Sequence, residues 1–364
     1  MLTAHTDAVD PLAQLAQIVA GTHGAPQGAE LVTTVRLPVQ EALVNGLARF
    51  ARAAGVVLDP RTGAVLALAS VPSYDPNRLD ALWPRLVTDP SSPLLDRSTN
   101  GLYPPGSTFK IVTVSDALDA GAVTPQTTFY DPGYFTVGNA TIHDDEEEST
   151  GSQDVTGAFA LSSNVDFAQI ALKIGVDRWF DYAGRWGLGK SVDFDLPVAR
   201  DRLPPKADVY PGVLAQLGFG QASLLVTPMR MALVGATIAD DGVTPRPYLV
   251  RRIAGRDTAI ATAPETLAQP ISAETAHEVR DMMIQVVRRG TGTAAQLPGV
   301  TVAGKTGTAT NPHGRSHAWF VAFAPAENPR VAVAIVIENV GYGGTYAAPV
   351  ARDVLRVALG RPRK

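Results

Sequence analysis

The last third of the chain has the clearest pattern of apolar residues. Residues 318–323 and 331–337 are apolar at every position, so both faces of each segment need cover. The connection between them, residues 324–330, is too short for a crossover and predicts an antiparallel pair. A further strand is expected at residues 300–303 and a helix at residues 349–359. We therefore predict an α/β (α+β) protein whose antiparallel sheet carries helices on both faces.

The first hundred residues and the segment before the sheet also show regular spacing. Apolar residues at helical intervals predict helices over residues 35–53 and 271–289. Two short apolar runs flank the turn sequence Asp-Pro-Arg-Thr-Gly at residues 59–63. They predict a β-hairpin made of residues 56–58 and 64–68.

The middle of the chain predicts two helical segments and a polar loop. A rigid Tyr-Pro-Pro-Gly segment at residues 103–106 leads into a helix expected over residues 107–118. Residues 155–174 are predicted to be helical, with a break at Ser-Ser-Asn, residues 162–164. Residues 129–153 are expected to form a polar loop.

Composition excludes several classes of function. The 364 residues carry 31 basic and 35 acidic side chains, a net charge of −4, so no basic surface points to nucleic acid. The absence of cysteine excludes disulfides, cysteine-ligated zinc and a thiol nucleophile. No stretch approaches the ~18 apolar residues of a membrane span, and the start lacks a signal-peptide pattern. We expect a polypeptide that is soluble as given and needs no metal or cofactor.

One Ser-x-x-Lys sequence, at residues 107–110, has the spacing of a nucleophile and its base. Three residues apart on a first helical turn, Ser107 and Lys110 lie on one face, so the amine can reach the hydroxyl. The positive helix end favours an alkoxide at Ser107 and disfavours a charged Lys110. Only six of the 31 basic residues are lysines, and an arginine could not serve as this base. An N-cap serine followed by a solvated lysine is the plain structural alternative.

Two further short motifs could complete such a site. Lys-Thr-Gly-Thr at residues 305–308 follows an expected strand. Glycine in an edge strand admits a substrate backbone, and hydroxyls beside an ammonium group suit a carboxylate, although a turn would explain the same residues. Ser-Ser-Asn at residues 162–164 could likewise be only a helix break.

The three motifs together resemble a known active-site signature. S-x-x-K, S-x-N and K-T-G, in that order on helix, loop and strand, are typical of serine β-lactamases and penicillin-binding proteins. The longer forms at residues 103–110 and 305–309 resemble class B penicillin-binding proteins, as do Ser-Tyr-Asp-Pro-Asn at 73–77, Gly-Gln and Val-Thr-Pro within 220–228, and His-Ala-Trp-Phe at 317–320. The chain resembles the actinobacterial penicillin-binding protein A type from about residue 31 to its C-terminus.

This resemblance implies a D,D-transpeptidase that acts on peptidoglycan stem peptides ending in D-Ala-D-Ala and that β-lactams acylate. Ser107 would attack the penultimate D-Ala carbonyl, and Lys110 would take its proton. Ser162 would relay a proton to the leaving amine. Asn164 would hold the substrate amide and orient Lys110. An acceptor amine from a neighbouring stem would then complete the cross-link.

The resemblance also implies how substrate is held. Lys305 would tune the site electrostatically and, with Thr306 and Thr308, receive the substrate carboxylate. Gly307 would let the substrate backbone approach. The backbone N–H groups of Ser107 and Thr308 would form the oxyanion hole, where each donor contributes about 3 kcal/mol in comparable sites.

The division and location of the chain follow from the same resemblance. Residues 31–364 are expected to form the transpeptidase domain, with an all-helical subdomain beside the sheet. Residues 1–30 would be a tail or the stub of a truncated pedestal, since members normally have a membrane anchor and a longer N-terminal part. The substrate alone implies an extracytoplasmic location. No partner in a cell-wall synthesis complex is identified, and residues 143–148 are expected to be a solvated acidic loop.

Other motif matches are weaker. Residues 184–191 fit the Walker A pattern letter by letter, but a helical stretch precedes them and prolines follow, where a phosphate loop needs a strand and then a helix. Nucleotide binding is therefore not expected. No H-E-x-x-H or G-x-S-x-G sequence occurs, which disfavours a zinc protease or a Ser-His-Asp hydrolase.

The predicted fold leaves three other activities open. A β-lactamase must deacylate quickly, and no clear deacylating glutamate follows Asn164. A D,D-carboxypeptidase passes the acyl group to water. A non-catalytic β-lactam sensor is acylated and stays so. Turnover of a D-Ala-D-Ala peptide and the lifetime of the penicilloyl adduct distinguish these activities.

Overall fold

A computed structural model describes residues 29–144, 149–255, 259–311 and 314–361. Almost all of the predicted N-terminal tail, and residues 145–148 of the acidic loop, lie outside these ranges. The described residues contain ten α-helices: α1 Leu37–Leu47, α2 Leu79–Leu86, α3 Lys110–Asp119, α4 Val155–Leu161, α5 Asn164–Ile174, α6 Val176–Arg185, α7 Pro211–Leu217, α8 Pro228–Ala239, α9 Ala273–Arg289 and α10 Gly343–Ala358. None of these described helices is both long and apolar enough to cross a bilayer.

Fourteen strands lie in the same described ranges. They are β1 Glu30–Thr33, β2 Ala53–Leu58, β3 Val65–Val71, β4 Thr128–Asp131, β5 Tyr134–Val137, β6 Ala140–His143, β7 Gly151–Asp154, β8 Thr244–Pro245, β9 Val250–Ala254, β10 Ala259–Ala261, β11 Thr266–Ala268, β12 Ala303–Ala309, β13 His317–Ala324 and β14 Val331–Ile337.

The chain forms two compact units. The described part of the smaller unit is a three-stranded antiparallel sheet in the order β1-β9-β10. An ion pair between Arg252 and Glu30, 3.0 Å long, links two of its strands. The larger unit consists of Thr34–Leu249 and Ala263–Lys364 and holds every predicted site residue.

The scaffold of the larger unit is a five-stranded antiparallel sheet in the order β12-β13-β14-β2-β3. The predicted hairpin is confirmed, since β2 pairs with β3 around a turn in which the Asp59 carboxylate accepts the Arg61 N–H at 2.9 Å. The predicted pair near the C-terminus is confirmed as β13 and β14, with Trp319 opposite Val336.

Helices cover both faces of this sheet, as its apolar faces predicted. Val321 and Phe323 face a core that α8 completes. Phe320 and Ala322, on the opposite face of the same strand, pack in a second core with α1 and α10. The predicted α/β (α+β) layering is therefore confirmed.

Three predicted boundaries differ from the structure. Helix α1 ends at Leu47, short of the predicted residue 53, because Ala53 already belongs to β2, where all six residues are buried. Strand β12 begins at Ala303, where the predicted strand was expected to end, and runs to Ala309, so it contains the whole Lys-Thr-Gly-Thr motif, which lacks apolar residues at its buried positions. Helix α10 begins at Gly343, six residues before the predicted start, with Pro349 inside it.

Helices α3 to α7 follow one another along the chain, with the break between α4 and α5 where the sequence placed it, but strands β4 to β7 lie between α3 and α4, so this region is not all-helical as predicted. The polar loop expected at residues 129–153 is instead partly ordered into two antiparallel pairs, β4 with β7 and β5 with β6. Ile142 of β6 is buried against α5 and α7 residues, which explains why this segment is not a free loop.

The Walker-like segment at residues 184–191 has its carbonyl groups turned toward a buried arginine. The Arg230 guanidinium on α8 donates to the carbonyls of Trp186 (3.3 Å), Gly187 (2.8 Å) and Lys190 (2.8 Å), and its Nε pairs with Asp201 at 2.7 Å. A phosphate loop instead directs N–H groups at its ligand. The segment is thus a structural loop held by one cation.

Replacing this arginine should be strongly destabilising. Arg230→Ala leaves a buried Asp201 carboxylate without its cation and three carbonyls without a donor, so we expect the free energy of unfolding to fall by about 3–5 kcal/mol. Urea unfolding followed by circular dichroism measures this. Lys206→Ala is the control, because its ion pair with Asp177 is exposed and its loss should leave the midpoint unchanged. Equal midpoints for Arg230→Ala and wild type would contradict the assignment.

Candidate active site

The predicted nucleophile and base lie on one short 3₁₀ turn. Residues 106–109 form this turn directly before α3, and the Lys110 N–H donates to the Ser107 and Thr108 carbonyls. In a 3₁₀ helix side chains three residues apart are eclipsed, so Ser107 and Lys110 point to the same side. The spacing expected for a common face is therefore kept, although the turn is tighter than the expected α-helix.

The segment leading to this turn is anchored at its first residue. Tyr103 donates its hydroxyl to Glu338 Oε1 at 2.8 Å, at the end of β14. Glu338 also pairs with Arg52 (3.0 Å) and Arg97 (2.9 Å). Burial first, and then the adjacent Glu338 charge, raise the pKa of Tyr103 above its ordinary value, so this phenol stays a hydrogen-bond donor.

Two glycines let the backbone before Ser107 pack tightly. The Gly106 N–H donates to the Gly220 carbonyl at 3.0 Å. Gly106 has a φ of +53°, and a Cβ there would lie 2.6 Å from the Thr308 carbonyl oxygen. A Cβ on Gly220 would lie 2.2 Å from the Gly106 carbonyl oxygen. Only glycine permits this approach, which brings the Ser107 backbone beside Thr308 on β12.

Lys110 is fully buried, and its amine is surrounded by the S-x-N motif. Its Nζ donates to the Ser162 carbonyl at 2.5 Å and to Asn164 Oδ1 at 2.8 Å, and it lies 3.3 Å from Ser162 Oγ. The Phe167 ring lies 5.4 Å away and completes the enclosure. The structure thus joins the predicted base to both polar residues of the second motif.

Lys305 is also fully buried and reaches the same serine from the sheet. Its Nζ donates to Ser162 Oγ at 2.8 Å and to the Thr306 carbonyl at 3.3 Å. The Phe159 ring lies 5.4 Å from this nitrogen. Two lysine amines, one from each side, therefore meet at one hydroxyl.

Ser162 occupies an unusual backbone conformation. It ends α4 with a φ of +67° and a ψ of +35°, the left-handed region that a non-glycine residue enters at a cost of about 1–2 kcal/mol. The next residue, Ser163, begins α5 by accepting the Asp166 N–H at 3.0 Å. The turn between the two helices thus aims the Ser162 hydroxyl and carbonyl at the lysines.

An open cleft of about 510 Å³ lies in front of these residues. Ser107, Asn164 and Thr308 are among its lining residues. Thr306 is buried instead, with its hydroxyl 2.5 Å from that of Thr291. Gly307 permits close packing, since a Cβ there would lie 2.9 Å from the Thr108 methyl group. The remaining lining residues are Thr141, Ile142, His143, Gln216, Phe219, Gln221, Ala222, Thr310 and Ser316.

Comparison with known proteins identifies the family. Residues 53–356 match the penicillin-binding protein transpeptidase domain. The chain belongs to the penicillin-binding protein transpeptidase family. The peptidoglycan D,D-transpeptidase PbpA of Mycolicibacterium smegmatis is 37% identical over 364 residues, which cover 92% of this chain and 73% of that protein.

Solved structures of other members have the same fold. The D,D-transpeptidase domain of a peptidoglycan glycosyltransferase from Eggerthella lenta superposes with a TM-score of 0.87 at 38% identity, covering 92% of this chain and 83% of that one. Penicillin-binding protein A from M. tuberculosis, solved as a ceftriaxone acyl-enzyme complex, gives a TM-score of 0.88 at 32% identity, covering 96% and 84%. The predicted resemblance to the actinobacterial penicillin-binding protein A type is confirmed.

Sequence reasoning missed one wall of the cleft. Strand β6 contributes Thr141 and His143, and Asp144 follows it directly. The pair Gly138-Asn139, between two short runs rich in β-branched and aromatic residues, is a two-residue hairpin signal that could have identified β5 and β6. The contacts of this hairpin with the S-x-N motif had no local signal, because the two are about twenty residues apart.

The close approach at Gly106 yields a test in this penicillin-binding protein. Gly106→Ala would force the Ser107 turn away from Thr308, and displacement of about 1 Å lowers rates ~100-fold in comparable sites, so we expect acylation by a fluorescent penicillin to slow by that order. Gly121→Ala is the matched control, because Gly121 has a φ of +63° with no atom near its Cβ position. It should lose stability only. Acylation of Gly106→Ala at the wild-type rate would disprove the packing argument.

Proposed function

We propose that this chain is a peptidoglycan D,D-transpeptidase in which Ser107 is the nucleophile and residues 31–364 form the transpeptidase domain. One observation carries the proposal. The buried Lys110 and Lys305 amines meet at Ser162 Oγ behind a cleft that Ser107 lines. Membership of this family, and the activity for which the M. smegmatis relative is named, support the same reaction.

The two amines create the electrostatic condition for a base. Each nitrogen lies within 3.3 Å of the same hydroxyl oxygen, so two ammonium charges here would be at most about 6 Å apart in a buried site. Repulsion between like charges favours losing one proton. Lys110 is the better base because it shares one face of the turn with Ser107, whereas Lys305 extends from the sheet to Ser162.

Acylation then needs two proton transfers. Lys110 takes the Ser107 Oγ proton as this oxygen forms a bond to the penultimate D-Ala carbonyl carbon. The carbonyl oxygen becomes negative and is held by the backbone N–H groups of Ser107 and Thr308. The C–N bond to the terminal D-Ala breaks as its nitrogen gains a proton through Ser162. The products are a Ser107 ester and free D-Ala.

Transfer reverses these roles. The amine of a second stem peptide attacks the ester carbonyl, gives up a proton through the Ser162 path, and Ser107 Oγ regains one as it leaves. The Asn164 Oδ1 atom keeps the Lys110 amine in place through both halves. The Asn164 amide nitrogen donates one hydrogen to the His143 carbonyl at 3.1 Å, and its second hydrogen can bind the substrate backbone.

Substrate would lie along the outer edge of β12. This strand is at the end of the sheet, and Thr308 and Thr310 line the cleft. The substrate carboxylate would be received by Thr308 with the Lys305 charge behind it. Thr306 would contribute its hydroxyl after leaving Thr291. Peptidoglycan is assembled outside the cytoplasmic membrane, so we propose an extracytoplasmic location.

β-Lactams would acylate Ser107 as mimics of the D-Ala-D-Ala bond. Intact-mass spectrometry of wild type after incubation with penicillin should show one added drug molecule per chain, and Ser107→Ala should show none, because Ser107 is the hydroxyl that both lines the cleft and shares a face of the turn with Lys110. Ser191→Ala, an exposed serine of the Walker-like loop, is the matched control and should keep the adduct. An adduct on Ser107→Ala would refute the assignment.

Turnover distinguishes the proposed activity from its alternatives. A D-Ala-D-Ala stem peptide incubated with an acceptor amine should yield free D-Ala and a cross-linked product by mass spectrometry, while the penicilloyl adduct persists. Release of D-Ala with only hydrolysed peptide would indicate a D,D-carboxypeptidase. Rapid loss of the adduct would indicate a β-lactamase, and a persistent adduct without peptide turnover would indicate a sensor.

A further inference from the structure

A carboxyl group that the mechanism does not use holds the S-x-N turn from behind. Asp144, the residue after β6, accepts the backbone N–H groups of Asn164 and Val165 with one oxygen, Oδ1 (3.3 Å to Val165). The preceding carbonyl, of His143, accepts from Asn164 Nδ2 at 3.1 Å. The end of β6 therefore holds both the backbone and the side-chain amide of Asn164.

The hydrogen bond from Asn164 Nδ2 to the His143 carbonyl fixes the orientation of the Asn164 side-chain amide. With Nδ2 donating to His143, the other end of the amide, Oδ1, is left toward Lys110 and accepts from its amine at 2.8 Å. A rotated amide would present N–H groups to an amine that needs an acceptor. Holding Asn164 from the hairpin side thus helps to hold the base on the active-site side.

Asp144 is itself held by a second carboxyl group, that of Asp131 at the end of β4. Asp131 accepts from the Gly133 N–H (2.7 Å), Thr150 Oγ1 (2.8 Å) and Ser163 Oγ (2.9 Å). The Asp144 carboxyl lies against that of Asp131, and no donor among the described residues reaches the buried Asp144 Oδ2. Two carboxylates in contact repel unless they share a proton.

The surroundings place that proton on Asp144. Burial first, and then the contact with Asp131, raise the pKa of Asp144 to about 7. Burial also opposes charge on Asp131, but its donors, with Asp144 before the others, outweigh this and keep the pKa of Asp131 below its ordinary value. Below about pH 7 a protonated Asp144 therefore donates to an ionised Asp131, and the pair ties β4, β6 and the S-x-N turn together.

We propose that Asp144 is a positioning residue for acylation, which holds Asn164 so that its amide oxygen stays on the Lys110 amine. The inference rests on the proposed function and adds a residue to it. The backbone of Ser162 is in the strained left-handed conformation. The residues that follow Ser162 must therefore be held in place for the turn to persist. Asp131 holds Ser163, and Asp144 holds Asn164.

The hydrogen-bonded arrangement of Asp131, Asp144 and Asn164, called the clamp below, should depend on pH. Lys110 and Asp131 are the charged groups that act on Asp144, and Asp166, whose pKa burial and Asp131 raise to about 7, titrates beside them. The pKa of Asp144 is raised from its ordinary value of 3.8. The stabilisation of the folded state by the protonated carboxyl is therefore complete below pH 3.8. This contribution is lost as pH rises through about 7, when both carboxyl groups become charged and repel.

The test compares Asp144→Ala with Asp144→Asn in the full chain. Alanine removes the acceptor of two N–H groups and the contact with Asp131. Asparagine keeps an acceptor oxygen, donates to Asp131 through its amide and cannot ionise, so it imitates the protonated carboxyl at every pH. The measurements are the acylation rate constant and the initial binding constant for a fluorescent penicillin, and the melting temperature, each from pH 5.5 to 8.5.

The matched control is Asp154→Ala. Asp154 accepts the Gly157 N–H at the start of α4, so its loss also removes an acidic helix cap, but it contacts no site residue described above. We expect Asp144→Ala to acylate about tenfold or more slowly with little change in initial binding. Asp144→Asn should stay within about threefold of wild type at pH 6, and its rate relative to wild type should rise toward pH 8.5. Asp154→Ala should lose melting temperature alone.

The outcomes separate this inference from the proposed function. A wild type that forms no penicilloyl adduct would overturn both. Acylation of Asp144→Ala near the wild-type rate, or slowing of Asp154→Ala by the same factor, would overturn the inference alone. If Asp144→Ala does not fold, the Asp144→Asn profile decides, and a constant ratio to wild type across the pH range rejects the clamp. Wild-type acylation that EDTA lowers would show a shared cation in place of the proton and also reject it.

Discussion

Two lysine amines without exposed surface, on Lys110 and Lys305, meet at the hydroxyl of Ser162. Burying two such groups is costly unless each has acceptors in fixed positions. The carbonyl of Ser162 and the amide oxygen of Asn164 provide them for Lys110, and the left-handed turn at Ser162 is what points both toward the amine. The rest of the larger unit can be understood as support for this turn from one side and for the nucleophile from the other.

The turn that carries Ser107 is supported by close contacts between backbone segments. Gly106 and Gly220 permit contacts that any side chain would block, and they bring the Ser107 turn beside the outer strand of the sheet. Tyr103 anchors the approach through Glu338. Support for the turn at Ser162 is polar, through Asp131 and the residues at the end of β6. The position of Ser107 therefore depends on close backbone packing, whereas the position of the Lys110 amine depends on hydrogen bonds.

The central sheet makes both kinds of support possible. Strand β13 has apolar side chains on both faces, so helices pack above and below it. Its neighbour β12 is an outer strand of the sheet, although its side chains are largely buried. An outer strand is where a peptide can be added to a sheet, and this one carries the Lys-Thr-Gly-Thr motif. The buried polar residues of β12, including Lys305, are the places where function replaces the apolar pattern.

Local patterns in the sequence were enough to predict the hairpin at β2 and β3, the strands β13 and β14, the break before Asn164, and the three motifs, because each depends on neighbours within a few residues. Only the tertiary structure decided that β12 runs through its polar motif, that residues 134–143 form a hairpin against α5 and α7, and that Asp131 and Asp144 meet behind Asn164. These features arise from pairing and burial between distant segments. Periodicity cannot report them, since their free energy comes from partners that the local sequence does not contain.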